Sequence, residues 1–539
     1  MYYKFQLRFF YIIVVTVLLV FVTACNNKST SEKEQEKVSS QLPNIIYILA
    51  DDLGYGELGA YGQEKIETPN IDALANDGML FTQHYTGAPV CAPARYMLLT
   101  GKHSGHAFIR GNDEWNERGE VWNYKAVIKD STLEGQRPIP DSTLLFPKSL
   151  QKVGYKTAII GKWGLGAPHS NAIPTKMGFD YFFGYNCQRQ AHTYYPVHLY
   201  ENEKRYHLNN DTIAPGTKLP EDADQNDPTS YKNYTLKEYS PDLMFDKMMK
   251  FVSSNKEKPF FLYWATPIPH NPIQAPQRWV DYYKKKLGPE EPYLGEMGYF
   301  PHQHPRAGYA AMISYLDENV GKLIDYLKKE GLYNNTLIIF SSDNGVTYSG
   351  GTDGVYFNSS GEFDEEYGRG KGFVYEGGIH VPMIATWPGH IKPNSKSDLI
   401  SSQYDVMATF ADLTGFKAPA DTDGISFLPT LLGGKQWEKH DFLFWEYPEY
   451  GGQVAIRMGN WKVIRQNLKN KKEPTLELYN LKTDSNEKNN VAAEHPEIIE
   501  KAARIFEREH LDASIERFRI PLIENGLLSD TLVVNGKAK

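Results

Sequence analysis

The strongest constraint on the fold is a series of short apolar runs, each of which ends in polar residues. Four of these runs are too short for amphipathic helices and are rich in β-branched and aromatic residues, so they predict buried strands. They span residues 44–50, 156–160, 260–265 and 337–340. Helical patterns lie between them, for example over residues 312–329. We therefore expect an α/β fold with a mainly parallel or mixed central sheet flanked by helices.

The polar residues that follow these runs are expected to lie close together. Asp51-Asp52 follow the first run, Gly161-Lys162 the second, Pro269-His270 the third and Asp343-Asn344 the fourth. In open sheets of this kind, ligands bind at the carboxyl ends of the strands. The four polar ends therefore predict one site at one edge of the sheet.

The acidic residues at this edge suit a hard cation. Asp51, Asp52, Asp343 and Asn344 offer carboxylate and amide oxygens, and such ligands favour calcium or magnesium over zinc. The alternative is that Asp51-Asp52 only cap the helix that follows them.

A cysteine segment, Cys91-Ala92-Pro93-Ala94-Arg95, runs into a short apolar stretch and resembles the signature of the type I sulfatases. Other segments match that family in its own order: residues 49–56, 161–163, 269–272 and 343–345, and Lys371 ahead of residues 376–378. The chain from Pro43 onward thus resembles a type I sulfatase of the alkaline phosphatase superfamily.

The resemblance implies a chemistry and a set of residues. A maturation enzyme would oxidise Cys91 to formylglycine, an aldehyde whose hydrate attacks sulfur, and the cation would be calcium. The residues implied are Asp51, Asp52, residue 91, Asp343 and Asn344 as metal ligands, Arg95 to orient the formylglycine, Lys162 and Lys371 to hold sulfate oxygens, and His270 to protonate the departing sugar oxygen. A thiolate is a soft ligand that matches an oxygen cage poorly, which favours conversion of Cys91. The alternatives are an unmodified buried thiol at Cys91 and a purely structural role for His270.

One residue departs from the family pattern. The family commonly has a histidine after Gly-Lys-Trp, where it would contact the formylglycine, but this chain has Gly164. Either the contact is dispensable or another residue takes its place, with His106 and His169 as candidates.

Charge points to an anionic small substrate. The net charge of −8 argues against a nucleic-acid partner. At the predicted site, Arg95, Lys162, Lys371 and a divalent cation outweigh three carboxylates, so the pocket would be cationic and suited to a sulfuryl group. The expected substrate is an O-sulfated saccharide, with sulfated galactose or N-acetylgalactosamine at a chain end preferred.

Four polar residues are candidate sugar contacts, although polar loops that pack on the domain would carry the same composition. They are His106, Arg110, Arg189 and His192. Two other functions stay open: a phosphonate or phosphodiester hydrolase of the same superfamily, and a non-catalytic protein that binds sulfated glycans.

The N-terminus predicts export. Lys4 and Arg8 precede an apolar run over residues 9–22, and small residues then lead to Cys25. This pattern is typical of a secretory signal and resembles a bacterial lipoprotein signal over residues 1–24, with Cys25 lipidated. Residues 25–42 have little to bury and would form a disordered tether to a membrane, facing the periplasm or the cell exterior. The alternative is an uncleaved membrane anchor, for which the run is short.

The remaining chain divides into a catalytic domain over residues 43–432, a subdomain over 433–515 and a tail over 516–539. In the subdomain, an alternating pattern interrupted by Gly459-Asn460 predicts a hairpin. A strand over 475–479 and a helix that opens at Pro496 complete a small antiparallel sheet with a helix. The resemblance implies that this subdomain closes one side of the pocket. Cys187 is expected to be a small buried residue, because two of the three cysteines are otherwise assigned.

Overall fold

The computed structural model describes residues 42–363 and 366–524. The predicted signal peptide, the lipidation site Cys25 and nearly all of the tether therefore lie outside the described residues. In the part of the chain that is described, no helix combines the length and the apolar character needed to cross a membrane.

The strands form one large sheet and two small ones. In chain order they are β1 (Asn44–Ala50), β2 (Met79–Phe81), β3 (His84–Tyr85), β4 (Lys156–Lys162), β5 (Tyr181–Tyr185), β6 (His198–Glu201), β7 (Lys204–His207), β8 (Phe260–Ala265), β9 (Thr336–Ser342), β10 (Met383–Thr386), β11 (Ser395–Ser397), β12 (Ser401–Ser402), β13 (Leu443–Tyr447), β14 (Gln453–Met458), β15 (Trp461–Gln466) and β16 (Thr475–Asn480). The large sheet has ten strands in the order β11-β2-β10-β9-β1-β8-β4-β5-β6-β7.

The centre of the large sheet is parallel, as predicted. Strands β9, β1, β8, β4 and β5 run parallel to their neighbours, while β10 and β6 join the sheet antiparallel. Every residue of β1, β8 and β9 is buried, which explains their nearly continuous apolar sequences. The predicted mixed α/β fold is confirmed.

Helices flank the central sheet. They are α1 (Pro69–Asp77), α2 (Cys91–Thr100), α3 (Tyr124–Lys129), α4 (Phe146–Lys152), α5 (Ser240–Ser254), α6 (Gln277–Leu287), α7 (Pro305–Lys329), α8 (Gly354–Phe357), α9 (Glu376–Ile379), α10 (Asp405–Thr414), α11 (Leu428–Leu431), α12 (Pro496–Glu509) and α13 (Pro521–Glu524). Helix α7 begins at Pro305, earlier than the predicted residue 312. The sequence pattern did not reveal these first turns, because residues 307–311 are all buried and show no amphipathic period.

The C-terminal part forms a separate antiparallel sheet, β13-β14-β15-β16. Met458 pairs with Trp461 across Gly459-Asn460, as the hairpin pattern predicts. Helix α12 packs on this sheet, and the same core includes Phe444, Ile520 and Ile523. The subdomain therefore continues past residue 515 into the segment predicted as a tail.

Candidate active site

The acidic residues meet because their strands are neighbours. Ala50 pairs with Ser342 at the ends of β1 and β9, so the residues that follow emerge side by side. The Asp52 N–H donates to Asp343 Oδ1 at 3.1 Å, and Asn344 Nδ2 donates to Asp52 Oδ1 at 2.8 Å. All four predicted ligands are buried at this edge, as expected from the strand ends.

Cys91 faces two of these carboxylates from the first position of helix α2. Its Sγ lies 3.3 Å from Asp51 Oδ1 and 3.9 Å from Asp52 Oδ1. Burial, reinforced by Asp51, raises the pKa of the Cys91 thiol. The surroundings therefore disfavour the thiolate, which is the nucleophilic form of cysteine.

Arg95 follows one helical turn after Cys91 and binds two carboxylates of the acidic cluster. Its Nε and Nη2 donate to Asp343 Oδ2 at 3.0 and 2.9 Å, and Nη2 lies 3.3 Å from Asp51 Oδ2. Its Nη1 donates to the carbonyl of Lys162 at 3.0 Å. The guanidinium thus fixes two carboxylates and the end of strand β4 relative to the helix that carries residue 91.

The two lysines are each paired with a different carboxylate. Lys162 Nζ lies 2.7 Å from Asp51 Oδ2, and Lys371 Nζ lies 2.7 Å from Asp52 Oδ2. Burial disfavours their charged forms, but the carboxylates outweigh it and raise the pKa of both lysines. The side chain of Lys162 is only 1% exposed, whereas that of Lys371 is 15% exposed, so the site is open on the side of Lys371.

The surroundings shift the pKa values of Asp343 and Asp51 in opposite directions. Burial and the neighbouring Asp51 raise the pKa of Asp343. At Asp51 burial also opposes ionisation, but Lys162 and the other cations prevail and lower its pKa.

His270 is buried beside the acidic cluster, and its ring has a defined orientation. Its Nδ1 donates to the carbonyl of Asn271 at 2.5 Å, because a carbonyl can only accept, and its Nε2 lies 3.7 Å from Asp52 Oδ2. The ring stacks on His192 at 5.3 Å and meets the edge of Tyr299 at 5.7 Å. Burial, with Lys371 nearby, lowers the pKa of His270. His192 is thus brought to the site as predicted.

The other predicted sugar contacts lie elsewhere. His106 Nδ1 is 2.8 Å from Asp423 Oδ1 and its ring stacks on His103. Arg110 is buried, and it donates to Glu446 and to three main-chain carbonyls of residues 105, 107 and 511. Arg110 thus ties the catalytic part to the C-terminal subdomain, because a buried arginine must satisfy its donors internally. Arg189 lies over the ring of the exposed Trp122, with its Nη1 on the carbonyl of residue 121.

Neither candidate histidine fills the position left open by Gly164. His106 is held by the contacts above, and the exposed His169 bonds Ser131 at 2.8 Å. Cys187 is buried, as expected, with its Sγ 3.5 Å from Glu114 Oε2.

Sequence reasoning missed Tyr299 at this site. It lies in a loop without a motif, and no signal in the sequence singles it out.

The donor set can hold a metal ion. Asp51, Asp52, Cys91 and His270 place their ligand atoms within 4.8 Å of one another. Asn344 Oδ1 is buried and has no hydrogen-bond partner in the part of the chain that the structure describes. A buried amide oxygen without a partner is costly, and a cation would satisfy it. The residues therefore fit a hard metal ion.

Comparison with known proteins gives the family. Residues 43–416 match the family model for sulfatases, and residues 365–510 match that for the C-terminal part of N-sulphoglucosamine sulphohydrolase. The chain is 32% identical over 434 residues to the N-acetylgalactosamine-6-sulfatase of Rattus norvegicus, covering 78% of this chain and 71% of the relative. It is 30% identical over 550 residues to the N-acetylgalactosamine-6-O-sulfatase of Bacteroides thetaiotaomicron, covering 91% and 96%.

A solved structure agrees along nearly the full length. The crystal structure of Ps i-CgsB in complex with k-i-k-neocarrahexaose matches with a TM-score of 0.68 at 26% identity, covering 91% of this chain and 98% of that chain. The match to the family model spans well over half of the chain, and it includes the cysteine segment, both acidic pairs and both lysines. The chain belongs to the sulfatase family and is a sulfuric ester hydrolase.

Proposed function

We propose that this protein hydrolyses the sulfate ester of an O-sulfated carbohydrate, with N-acetylgalactosamine 6-O-sulfate at a chain end as the first substrate to test. The observation that carries the proposal is the placement of Cys91 at the start of a buried helix, within 3.3 Å of Asp51, among paired carboxylates and lysines. The names of the two N-acetylgalactosamine-6-sulfatase relatives support the choice of sugar.

Residue 91 acts as formylglycine. The thiol is mismatched with the surrounding carboxylate oxygens, whereas an aldehyde hydrate supplies oxygens that suit a hard site. As formylglycine, the residue supplies a hydrate oxygen that attacks sulfur. The conversion requires a maturation enzyme that recognises the segment from Cys91 to Arg95.

The cation is calcium, held by Asp51, Asp52, Asp343 and Asn344 together with residue 91. These are hard oxygen donors, and the buried Asn344 Oδ1 has room for one more partner. Bound there, the ion supplies Lewis-acid polarisation of a sulfate oxygen.

Charge balance makes the site an anion receptor. Three carboxylates oppose Arg95, Lys162 and Lys371, which alone gives neutrality, so a divalent ion leaves an excess of two positive charges. Arg95 is occupied by the carboxylates and positions the helix of residue 91. Lys162 and Lys371 hold the sulfate oxygens, and their fixed ammonium groups stabilise charge on the transferring group without reorganisation.

His270 supplies the proton for the departing sugar oxygen. Its Nδ1–H is committed to the carbonyl of Asn271, so Nε2 is the acceptor nitrogen of the neutral ring and must first take up the proton that it then delivers to the departing oxygen. The rings of His192 and Tyr299 hold the imidazole in place and exclude water from one of its faces.

The test is sulfate release from a panel of sugars that differ in one feature each. The enzyme is used after mass analysis has shown the aldehyde at residue 91. The panel compares the 6-O-sulfate of N-acetylgalactosamine with its 4-O-sulfate, with the 6-O-sulfates of galactose and N-acetylglucosamine, and with matched phosphate esters. We expect release from the first. Turnover confined to phosphate or phosphonate esters would replace the proposal with the hydrolase alternative. Binding without turnover in protein that carries an unmodified Cys91 in its native host would favour a glycan-binding role.

We also propose that the chain is exported and anchored to a membrane through lipid on Cys25. The support is the order of basic residues, apolar run and small residues before that cysteine. Mass analysis of the mature N-terminal peptide should show a lipidated Cys25, and Cys25→Ala should release the protein from membranes. A mature N-terminus upstream of Cys25 would contradict the proposal.

A further inference from the structure

The space beside Gly164 is already occupied. Gly164 has φ +75°, in the left-handed region that favours glycine. A Cβ added at this position would lie 2.7 Å from Gln188 Cγ and 3.1 Å from its Cδ. The glycine is therefore required by Gln188, whose side chain fills the volume that a residue at position 164 would use.

Gln188 is held against this position by its main chain. Its N–H donates to Gln136 Oε1 at 2.9 Å, and its side chain is almost fully buried. The N–H of Gly164 donates to the carbonyl of Asn186 at 3.2 Å, which joins the two segments directly. The placement of Gln188 is thus fixed on both sides.

The side chain of Gln188 leads to the helix of residue 91 through Asn112. The N–H of Ala92 donates to Asn112 Oδ1 at 3.2 Å, and Gln188 Nε2 donates to the same oxygen at 3.1 Å. A main-chain N–H can only donate, so Asn112 must present its oxygen to Ala92, and Gln188 must then present its nitrogen. Asn112 is also held from the C-terminal subdomain, because its N–H donates to Glu449 Oε2 at 3.1 Å.

This assignment leaves the other polar atom of each of the two amide side chains to be accounted for. Gln188 Oε1 and Asn112 Nδ2 have no hydrogen-bond partner recorded in the described ranges 42–363 and 366–524. One is an acceptor and the other a donor, and they belong to side chains joined to the amide that directly follows Cys91. They are available to a group on residue 91 or to the ester.

We propose that Gln188 and Asn112 are positioning residues for residue 91. Together they fix the N–H of Ala92 in the first turn of helix α2 and offer one neutral acceptor and one neutral donor beside it. An amide cannot ionise, so this position guides the reacting group by hydrogen bonding and exchanges no proton with it. The inference deepens the proposed function and rests on it.

The first test compares Gln188→Ala with a control on the same segment, Gln190→Ala. Turnover of N-acetylgalactosamine 6-O-sulfate is measured in preparations with matched aldehyde content at residue 91. We expect kcat of Gln188→Ala to fall about 10- to 100-fold, since small displacements of a reacting group have effects of that size. KM should stay within a factor of about two, because the sulfate-holding lysines are untouched. The control should match the wild type.

Gln188→Glu tests the direction of the hydrogen bond. An ionised carboxylate cannot donate to Asn112 Oδ1, whereas a protonated carboxyl can. The activity of this variant relative to the wild type should therefore rise as the pH falls towards 5. A merely structural role for Gln188 would not add this limb to the pH–rate profile.

The second test places a side chain at position 164 in the volume that Gln188 fills. Gly164→His alone should lower both kcat/KM and the unfolding temperature, because the new Cβ meets Gln188. Adding Gln188→Ala should then raise both, so that Gln188→Ala is harmful in one background and beneficial in the other. Such a change of sign is expected only of residues in direct contact.

Each result decides between the claims. If the mature wild type turns over the substrate but the Gln188 variants match it in kcat and pH profile, the inference is overturned while the proposed function stands. If the aldehyde-bearing wild type releases no sulfate from any member of the panel, the proposed function fails and takes the inference with it.

Discussion

A buried lysine of the C-terminal subdomain, Lys462, contacts a helix that packs against the candidate active site, and its replacement should change both stability and the site. Lys462 of β15 is fully buried, with its Nζ 2.8 Å from Glu376 Oε1 and 2.9 Å from Glu487 Oε1. Glu376 opens helix α9, and its own N–H donates to Glu487 Oε2 at 2.7 Å. The same short helix packs on the segment of the candidate metal ligands Asp343 and Asn344, because Gly345 N–H donates to the carbonyl of Gly378 at 3.0 Å.

Lys462→Met should therefore destabilise the protein and disturb the site. The change keeps an unbranched side chain but leaves two buried carboxylates without their shared cation. Removing one partner of a buried pair costs about 3–5 kcal/mol. With an unfolding entropy of about 2.1 cal/mol/K per residue over roughly 480 residues, this corresponds to a fall in Tm of about 3–5 °C.

The loss should depend on pH with a defined sign. In the wild type, Lys462 overcomes burial and lowers the pKa of Glu376, while burial raises the pKa of Glu487. The ionised Glu376 thus contributes stability above its unfolded pKa of about 4.3, and this contribution is lost as the pH falls through the lower folded pKa. In Lys462→Met the two carboxylates have lost their shared cation and instead gain by protonation, although Glu376 keeps His380 and the hydroxyl of Tyr85. The deficit should therefore shrink between pH 8 and pH 5.

The assay is thermal unfolding by calorimetry at four pH values between 5 and 8. The matched control is Lys472→Met, the same change at an exposed lysine of the same subdomain. Adding Glu487→Gln to Lys462→Met should restore part of the Tm, because it removes one of the unpaired charges. A Tm equal to that of the control, or a deficit independent of pH, would refute this account of the network.

Three further outcomes are expected. Cys91→Ala should abolish sulfate release and leave the unfolding temperature close to that of the wild type; substantial turnover would rule out residue 91 as the nucleophile. Chelation of divalent ions should abolish turnover and lower Tm, and Ca²⁺ but not Zn²⁺ should restore both; full activity after exhaustive chelation would contradict the metal assignment. At His440 burial opposes the charged form, but Asp405 prevails and raises its pKa. His440→Gln should therefore cost stability below about pH 6.5 and nothing once the pH exceeds the folded pKa; equal Tm differences at pH 5 and pH 9 would exclude this.

The residues at strand ends could be predicted from the sequence for a geometric reason. Parallel strands of one sheet end at the same edge, so Asp51 and Asp343 could be placed at one edge from the sequence, and the pairing of β1 with β9 makes them adjacent. The same rule brings His270 beside them, because β8 is the other neighbour of β1. No knowledge of side-chain contacts was needed for these positions.

The loop residues could not be found in this way. Lys371 follows no strand, and only the resemblance to the family pointed to it. His106 and Arg110 looked as suitable for sugar binding as His192 did, since composition does not tell which way a loop side chain faces. Arg110 faces Glu446, which lies inside β13, and this charged residue in a fully buried strand also concealed β13 from the sequence analysis.

The C-terminal subdomain contributes to the site in two ways that the strand pattern cannot reveal. Behind the metal-binding segment, Lys462 neutralises the carboxylates that hold helix α9. At the open side, Tyr450 lies beside the loop of Lys371, since a Cβ added at Gly372 would be 3.0 Å from its ring. Of the two lysines proposed to hold the sulfate, Lys371 is the more exposed, and Tyr450 itself is 56% exposed. If Lys371 holds the sulfate as proposed, the sugar would lie close to an aromatic side chain of the subdomain. The strand ends thus position most of the charged residues of the candidate site, whereas loops from elsewhere in the chain would form the surfaces that meet a sugar. This is why the reaction class could be deduced from the sequence more completely than the substrate.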